Sequence, residues 1–400
     1  MIIRLSNKNM AVFLIALSPF LVNYELPILH VNLTLIIYML ITLGEIIKLL
    51  NNNFRFRRVL NCQFSCICLL VFMLIYLIFE SFYIKQMLST TYTLIQIGLL
   101  YIQIIGLISF FSDKYTRDLY KSFICNITIV MCSVIFMQYI LYYIGGILPG
   151  GNTRVALLPF EFMFTDSVKM TSKQGIIIEG FFRPSAMFLE PAHFSAYCSI
   201  GLLCLVFGKK RIDWKAIFVS LAICMTTSGI GIGSVVMIWA IYILYDLKSM
   251  NKIRMIRAYI LILLSIFSFV ILFYNFSFFR MALNRLSGAD NALSGRLSGR
   301  LFIEELSGKT RWFGVGYKNF SKFILLNISY YFSSITELLY CQGIVGTVLF
   351  CVLYFCALIK MYRSNNQEHF AAMFLSVIYI IGTEVFSVNQ LVRYIPFLFF

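Results

Sequence analysis

An all-α, polytopic integral membrane protein is the fold class this sequence predicts, and three observations predict it. Hydrophobic residues make up 60% of the 400 positions and charged residues only 12%, with a mean hydropathy of +0.86. A soluble domain carries about a quarter charged residues and could not hide so much apolar surface. Apolar runs of about twenty residues also recur from end to end, each long enough to cross a hydrocarbon layer of roughly 30 Å. Finally, alternate connections between the runs are short and basic, as the positive-inside rule requires.

The runs fall at 10–29, 31–50, 61–80, 91–111, 122–148, 186–207, 214–228, 229–247, 258–276, 334–359 and 370–386, with a last apolar piece at 391–400. Together they predict about 11–12 transmembrane helices in one integral-membrane domain, 1–400. The first run follows Arg4 and Lys8 in the manner of a signal peptide. It carries Pro19 and Glu25 and lacks a small-x-small cleavage site, so it is expected to stay as the first span. With the N-terminus cytoplasmic, the inner connections are "NNNFRFRR", "DKYTRDLYK", "GKKRIDWK", "KSMNKIRMIR" and "KMYRSNN". The opposite short connections, such as "SFYIKQML", are almost free of positive charge.

This threading leaves two long external loops, 149–185 and 277–333. The second holds eight cations (Arg280, Arg285, Arg296, Arg300, Lys309, Arg311, Lys318 and Lys322) against Asp290, Glu304 and Glu305. A cationic outer surface suits an anionic partner, with phosphate first in line; attraction to lipid head groups is the plainer alternative. Read as a helix over 289–306, the loop aligns Leu293, Leu297 and Leu301 on one stripe and Arg296 with Arg300 on another. Gly295 and Gly299 weaken that helix by about 1 kcal/mol each. A solvated arginine face, with Arg300 paired to Glu304, would need no ligand.

The eleven cysteines lie mostly inside apolar runs and read as packing residues rather than a disulfide framework. Cys62, Cys66 and Cys68 are close in sequence but lack the further ligands a structural zinc site needs. The three histidines (His30, His193 and His369) are far apart in the threading. No Walker loop, HExxH or GxSxG is present, and no metal, cofactor or nucleic-acid partner is expected. "TSGIGIGS" at 227–234 is Gly-rich but lies between apolar runs, so a tight helix-to-helix turn explains it better than phosphate binding.

Ionisable groups concentrate in "EGFFRPSAMFLEPAHFSAY", 179–197, at the mouth of an apolar run. Pro184 disfavours helical geometry at Arg183, which is therefore expected in an extended segment. Glu190 follows near the outer end of the run, and His193 lies one turn deeper. A carboxylate there must face the protein interior or a wet cavity, because lipid disfavours it. Two readings stand: an Arg183–Glu190 ion pair that pins the loop, or a cavity with the parts of a transferase site. In the second, arginine neutralises a phosphate leaving group, and Glu190 or His193 accepts the proton of an attacking hydroxyl.

Four ordered blocks over roughly 180–350 resemble the bacterial O-antigen polymerase and ligase superfamily. "FFRPSAMFLEPAHFSAY" resembles its Arg-x-x-Gly-x-Phe-x-Glu-Pro-Asn segment. "TTSGIGIGS" resembles its Ser-Arg-x-Gly turn, with Gly229 where Arg is usual. "SGRLFIEELSGKTRWFGVGYKNF" is similar to its second large external loop, and "ELLYCQGIVGTVLF" to the Glu-x-Gly-ϕ-ϕ-Gly start of the next span. The N-terminal half matches only as a set of spans. The resemblance implies a metal-independent membrane glycosyltransferase, acting on undecaprenyl-diphosphate-linked oligosaccharide at the outer face of a bacterial inner membrane. It implies catalytic roles for Arg183, Glu190 and Arg300, and substrate contacts from Arg296, Arg285, Arg311 and His193. A chain-length regulator is an implied protein partner. Departures are Ser185 or Ala186 in place of the first Gly, and Ala192 with His193 in place of Asn. Ligases of the superfamily carry a second-loop histidine, whereas 277–333 contains none. That favours an O-antigen or capsular repeat-unit polymerase over a ligase or protein glycosyltransferase. A flippase of lipid-linked oligosaccharide is the reading from another class, and it should place its charges inside the helices: Glu25, Glu45, Glu337 and Glu384 are the candidates.

Overall fold

The computed structural model describes residues 7–51, 175–249, 303–316 and 334–382, each with short breaks, together with 113–148 and scattered positions between 71 and 111. The expected spans at 61–80, 91–111 and 258–276 and the piece at 391–400 lie wholly or largely outside the described residues, as do Cys62, Cys66, Cys68 and Glu384. So do Arg285, Arg296 and Arg300, with most of the expected 289–306 helix.

The described chain is mostly helical, as the apolar runs predict. In order it forms α1 (Asn7–Leu21), β1 (Glu25–Leu26), β2 (Val31–Asn32), α2 (Leu33–Asn51) and α3 (Lys114–Tyr143). There follow β3 (Gly175–Ile178), β4 (Phe181–Pro184), α4 (Pro191–Phe207), α5 (Trp214–Met225) and α6 (Gly229–Ser249). The last helices are α7 (Lys309–Phe313), α8 (Ser334–Arg363) and α9 (Gln367–Gly382). The two antiparallel ribbons, β1–β2 and β3–β4, are departures from a purely helical expectation. Among the described residues, α3 and the stretch Ile335–Val352 of α8 are long and apolar enough to cross a membrane; α1, α4, α5 and Gly229–Tyr245 of α6 are shorter apolar helices.

The chain divides into two units. The first comprises 1–120, 295–364 and 380–400. Pro19 sits inside α1 and cannot donate to the Ile15 carbonyl, so the Ser18 hydroxyl does so instead, at 2.7 Å. Ser18 also meets the Tyr38 hydroxyl at 2.6 Å, and Thr34 Oγ1 donates to the Ser18 carbonyl at 2.7 Å, which joins α1 to α2. α3 begins at Lys114, eight residues before the expected span, and the carboxylate of Asp113 just ahead of it accepts from the Tyr115 amide at 3.3 Å. The Lys8 ammonium lies 2.6 Å from Asp113 and is the main cause of a lowered carboxyl pKa. A depressed pKa contributes stability above the unfolded value near 4, which is lost as the pH falls through the folded value. Both side chains are largely exposed, so the pair contributes only a few tenths of a kcal/mol. Asp113→Asn should therefore lower a melting midpoint at pH 7 by about a degree and remove that acid dependence.

The second distinctive feature of this unit is a break in α8 at Gly343, whose φ of 64° and ψ of −169° are not helical. The carbonyls freed at the break have other partners. Val315 and Gly316 amides donate to the Tyr340 and Cys341 carbonyls, both at 3.0 Å, and the Tyr76 hydroxyl donates to the Gln342 carbonyl at 2.8 Å. "FGVG" at 313–316 and "YCQGIVG", apart in sequence, thus dock backbone to backbone.

The other unit comprises 121–294 and 365–379. Its centre is α4, buried along almost its whole length, as expected for a helix apolar all round. Gly201 lets α4 approach α3 closely, since a Cβ there would run into the Thr128 side chain. From α9, Tyr379 donates to the Ala196 carbonyl at 2.6 Å, and Glu368 pairs with Lys121 of α3 at 2.8 Å.

Candidate functional site

The β3–β4 ribbon carries Arg183 into the second unit. Register pairs Ile176 with Arg183 and Ile177 with Phe182, so Arg183 is extended, as Pro184 predicts. After the strand the chain turns sharply at Ala186, with φ of 52°. Gln138 of α3, 1% exposed, clamps this turn: its Nε2 donates to the Ala186 carbonyl and its Oε1 accepts from the Ala186 amide, both at 3.0 Å. The span expected from 186 therefore begins its helix at Pro191, since 185–188 form the turn. Gln138→Leu would strand both buried backbone groups of Ala186, costing about 2–4 kcal/mol. The detergent-solubilised variant should melt several degrees below wild type.

The Arg183 guanidinium reaches the turn between α5 and α6. Nε donates to the Thr226 carbonyl at 3.0 Å and to Thr227 Oγ1 at 2.7 Å, and Nη2 donates to the Thr227 carbonyl at 3.3 Å. The Tyr139 hydroxyl donates to the preceding carbonyl, Met225, at 2.5 Å. Three successive carbonyls at the C-terminus of α5 are thus held, two of them by a cation where the helix dipole favours one. Thr227 has φ of 50°, an uncommon conformation for a β-branched residue and one that the surrounding bonds must hold. Below it, Thr226 Oγ1 and Ser195 Oγ lie 2.9 Å apart in the buried interior.

Arg183 is thus half-buried, oriented by the 226–227 turn. Glu190 stands at the N-cap of α4, exposed, and makes no side-chain cap bond. The orienting partners of Arg183 are Thr226 and Thr227 rather than Glu190, and Glu190 is exposed rather than buried in the interior, the first of its two expected settings. His193, one turn into α4, is half-buried. Arg311 belongs to the first unit. It is exposed on α7 and lines a cleft of about 430 Å³ with Ile303, Glu304, Leu306, Leu339 and Ile344. Among the described residues no group of three or more His, Cys, Asp or Glu could hold a metal.

Sequence reading missed Thr226, Thr227, Gln138 and Tyr139. The signal for the threonines was present: "TTS" places three hydroxyls between two apolar runs, where a bare turn needs none. Comparison with family models, curated proteins and solved structures finds no match to this chain.

Proposed function

We propose that this chain is a multi-pass membrane glycosyltransferase of a bacterial inner membrane, an O-antigen or capsular repeat-unit polymerase with a cytoplasmic N-terminus. The membrane part is supported by what the helices leave uncovered. Exposed apolar residues recur at helical spacing: Leu40, Leu43 and Ile47 on α2; Trp214, Ile217 and Leu221 on α5; Val348, Val352, Phe355 and Ile359 on α8. Stripes of that kind suit lipid.

The observation that carries the transferase reading is the docking of Arg183 on the 225–227 turn. α5 has twelve residues, about 18 Å of rise, against a hydrocarbon thickness of roughly 30 Å. On the proposed topology, a helix of that length entering from the basic connection "GKKRIDWK" would end within the membrane depth, and the ribbon holds the Arg183 guanidinium at that end. Irregular backbone at that depth belongs where protein buries it or a wet cavity adjoins it. A lipid diphosphate entering from the outer leaflet would find its countercharge there.

In the reaction, an acceptor hydroxyl on a new lipid-linked unit bonds to the anomeric carbon of the growing glycan. The bond from that carbon to undecaprenyl diphosphate breaks, and the diphosphate leaves with the electron pair. Arg183 neutralises the leaving group, and Glu190, the solvent-facing carboxylate, takes the acceptor proton. The resemblance adds Arg300 or Arg296 as the second diphosphate arginine and Arg285, Arg311 and His193 as substrate contacts. The direct test is a strain lacking this chain. Restoring it should restore long glycan ladders, and persistence of single repeat units would sink the reading.

A flippase of lipid-linked oligosaccharide is the second reading, favoured by the break in α8. Gln342, 1% exposed at that break, has no hydrogen-bond partner for its amide among the described residues. Broken helices with buried polar groups mark transport sites. Repeat units trapped on the cytoplasmic face of the deletion strain would select it.

A further inference from the structure

We infer that Tyr142 and Tyr143, at the end of α3, form a pyranose-binding shelf beside Arg183; the inference rests on the transferase reading and names the sugar subsite of the same site. Four aromatic rings gather there. Tyr143 stacks on Tyr139 with centroids 5.5 Å apart and planes at 11°, and Tyr142 stacks on Phe182 at 4.6 Å and 26°. Tyr142 and Tyr143 meet edge to face at 4.9 Å, and the Phe182 amide donates to the Tyr143 hydroxyl at 3.3 Å. Phe182 is buried and adjoins Arg183 in β4, and Tyr139 caps the carbonyl next to those Arg183 holds. The rings are therefore fixed in place relative to the guanidinium.

Two features of this cluster point to a sugar. Tyr143 is 52% exposed even though Tyr139 stacks on it and Tyr142 meets it edge to face, so a substantial part of its ring remains available to a ligand. The Tyr142 hydroxyl makes no hydrogen bond among the described residues, although its ring is held. A pyranose presents a face of C–H groups with slight positive charge, which suits the negative face of an aromatic ring, and it is rimmed by hydroxyls that match a free phenol. A rigid ring also orders at low entropic cost. A glycan whose diphosphate sits at Arg183 would carry its first sugars past this shelf.

The test is equilibrium binding to the full-length protein in nanodiscs with two probes: farnesyl diphosphate, and farnesyl diphosphate bearing N-acetylglucosamine. Wild type should bind the sugar-bearing probe more tightly. Tyr143→Leu should weaken that probe about fivefold and leave farnesyl diphosphate unchanged, while Tyr143→Phe keeps the difference. Equal loss for both probes would assign the tyrosines to membrane anchoring and overturn the shelf. So would wild-type affinities that do not differ, with the diphosphate reading left intact. Wild type that binds neither probe would overturn both.

Discussion

Arg183→Ala is expected to reduce chain growth by about 10²–10³-fold, the effect of removing a group that stabilises developing charge. Glycan from the complemented deletion strain should collapse to single repeat units, with membrane levels of the protein near wild type. The structure sharpens the control, because Arg183 also holds the 226–227 turn through three hydrogen bonds. Thr227→Gly separates the roles. Glycine accepts the φ of 50° without strain, which offsets part of the lost bond and side chain, so this variant should still accumulate as folded protein. It loses the 2.7 Å bond that orients Nε, and its polymerisation rate should fall about tenfold. A stable Thr227→Gly with a normal ladder, beside a normal ladder from Arg183→Ala, would reduce the arginine to a cap on α5.

Gly343→Ala is expected to prevent accumulation of the folded protein, and Gly314→Ala to do the same. Their backbones lie at φ 64°, ψ −169° and φ 78°, ψ −174°, a region open essentially only to glycine, and forcing another residue there costs about 1–3 kcal/mol. Space is short as well. A Cβ on Gly343 would press into the Trp312 carbonyl, and one on Gly314 into that of Cys341. Each glycine thus makes room for the other's segment, and the bonds from Val315 and Gly316 would be lost with either. Size-exclusion profiles of the solubilised variants should show aggregate where wild type shows one peak. Gly233, which has open space around its Cβ position, should tolerate alanine and serves as the control. If Gly343→Ala gives a normal peak, the helix break is not required for the fold.

Several helices were legible within a few residues because a long apolar run has one economical arrangement in any setting, a helix with its backbone satisfied internally. The starts of α5 and α6 agree with the sequence reading, and α8 begins where it was expected. The start of α4 did not agree. "RPSAMFLEP" reads as the head of a span, but Gln138, forty-eight residues away, captures both backbone groups of Ala186 and holds a turn instead. The break at Gly343 was equally hidden, because a glycine in an apolar helix usually marks close packing.

At the candidate site, Arg183 was legible from chemistry: a cation before a proline at the mouth of an apolar run needs a partner. Which partner was not legible. Glu190 was the near choice by charge, yet it is exposed, and the guanidinium turns to the carbonyls of a turn more than forty residues on.

Composition and hydropathy by themselves determined the helical class and the approximate position of most of the described helices, because those depend on local periodicity and on burial of the backbone. The tertiary structure alone decided where the helices break, which carbonyls Arg183 holds and which tyrosines stand beside it. Those are contacts between segments distant in the chain, and hydrogen-bond geometry in a crowded interior selects among partners that local chemistry leaves equivalent.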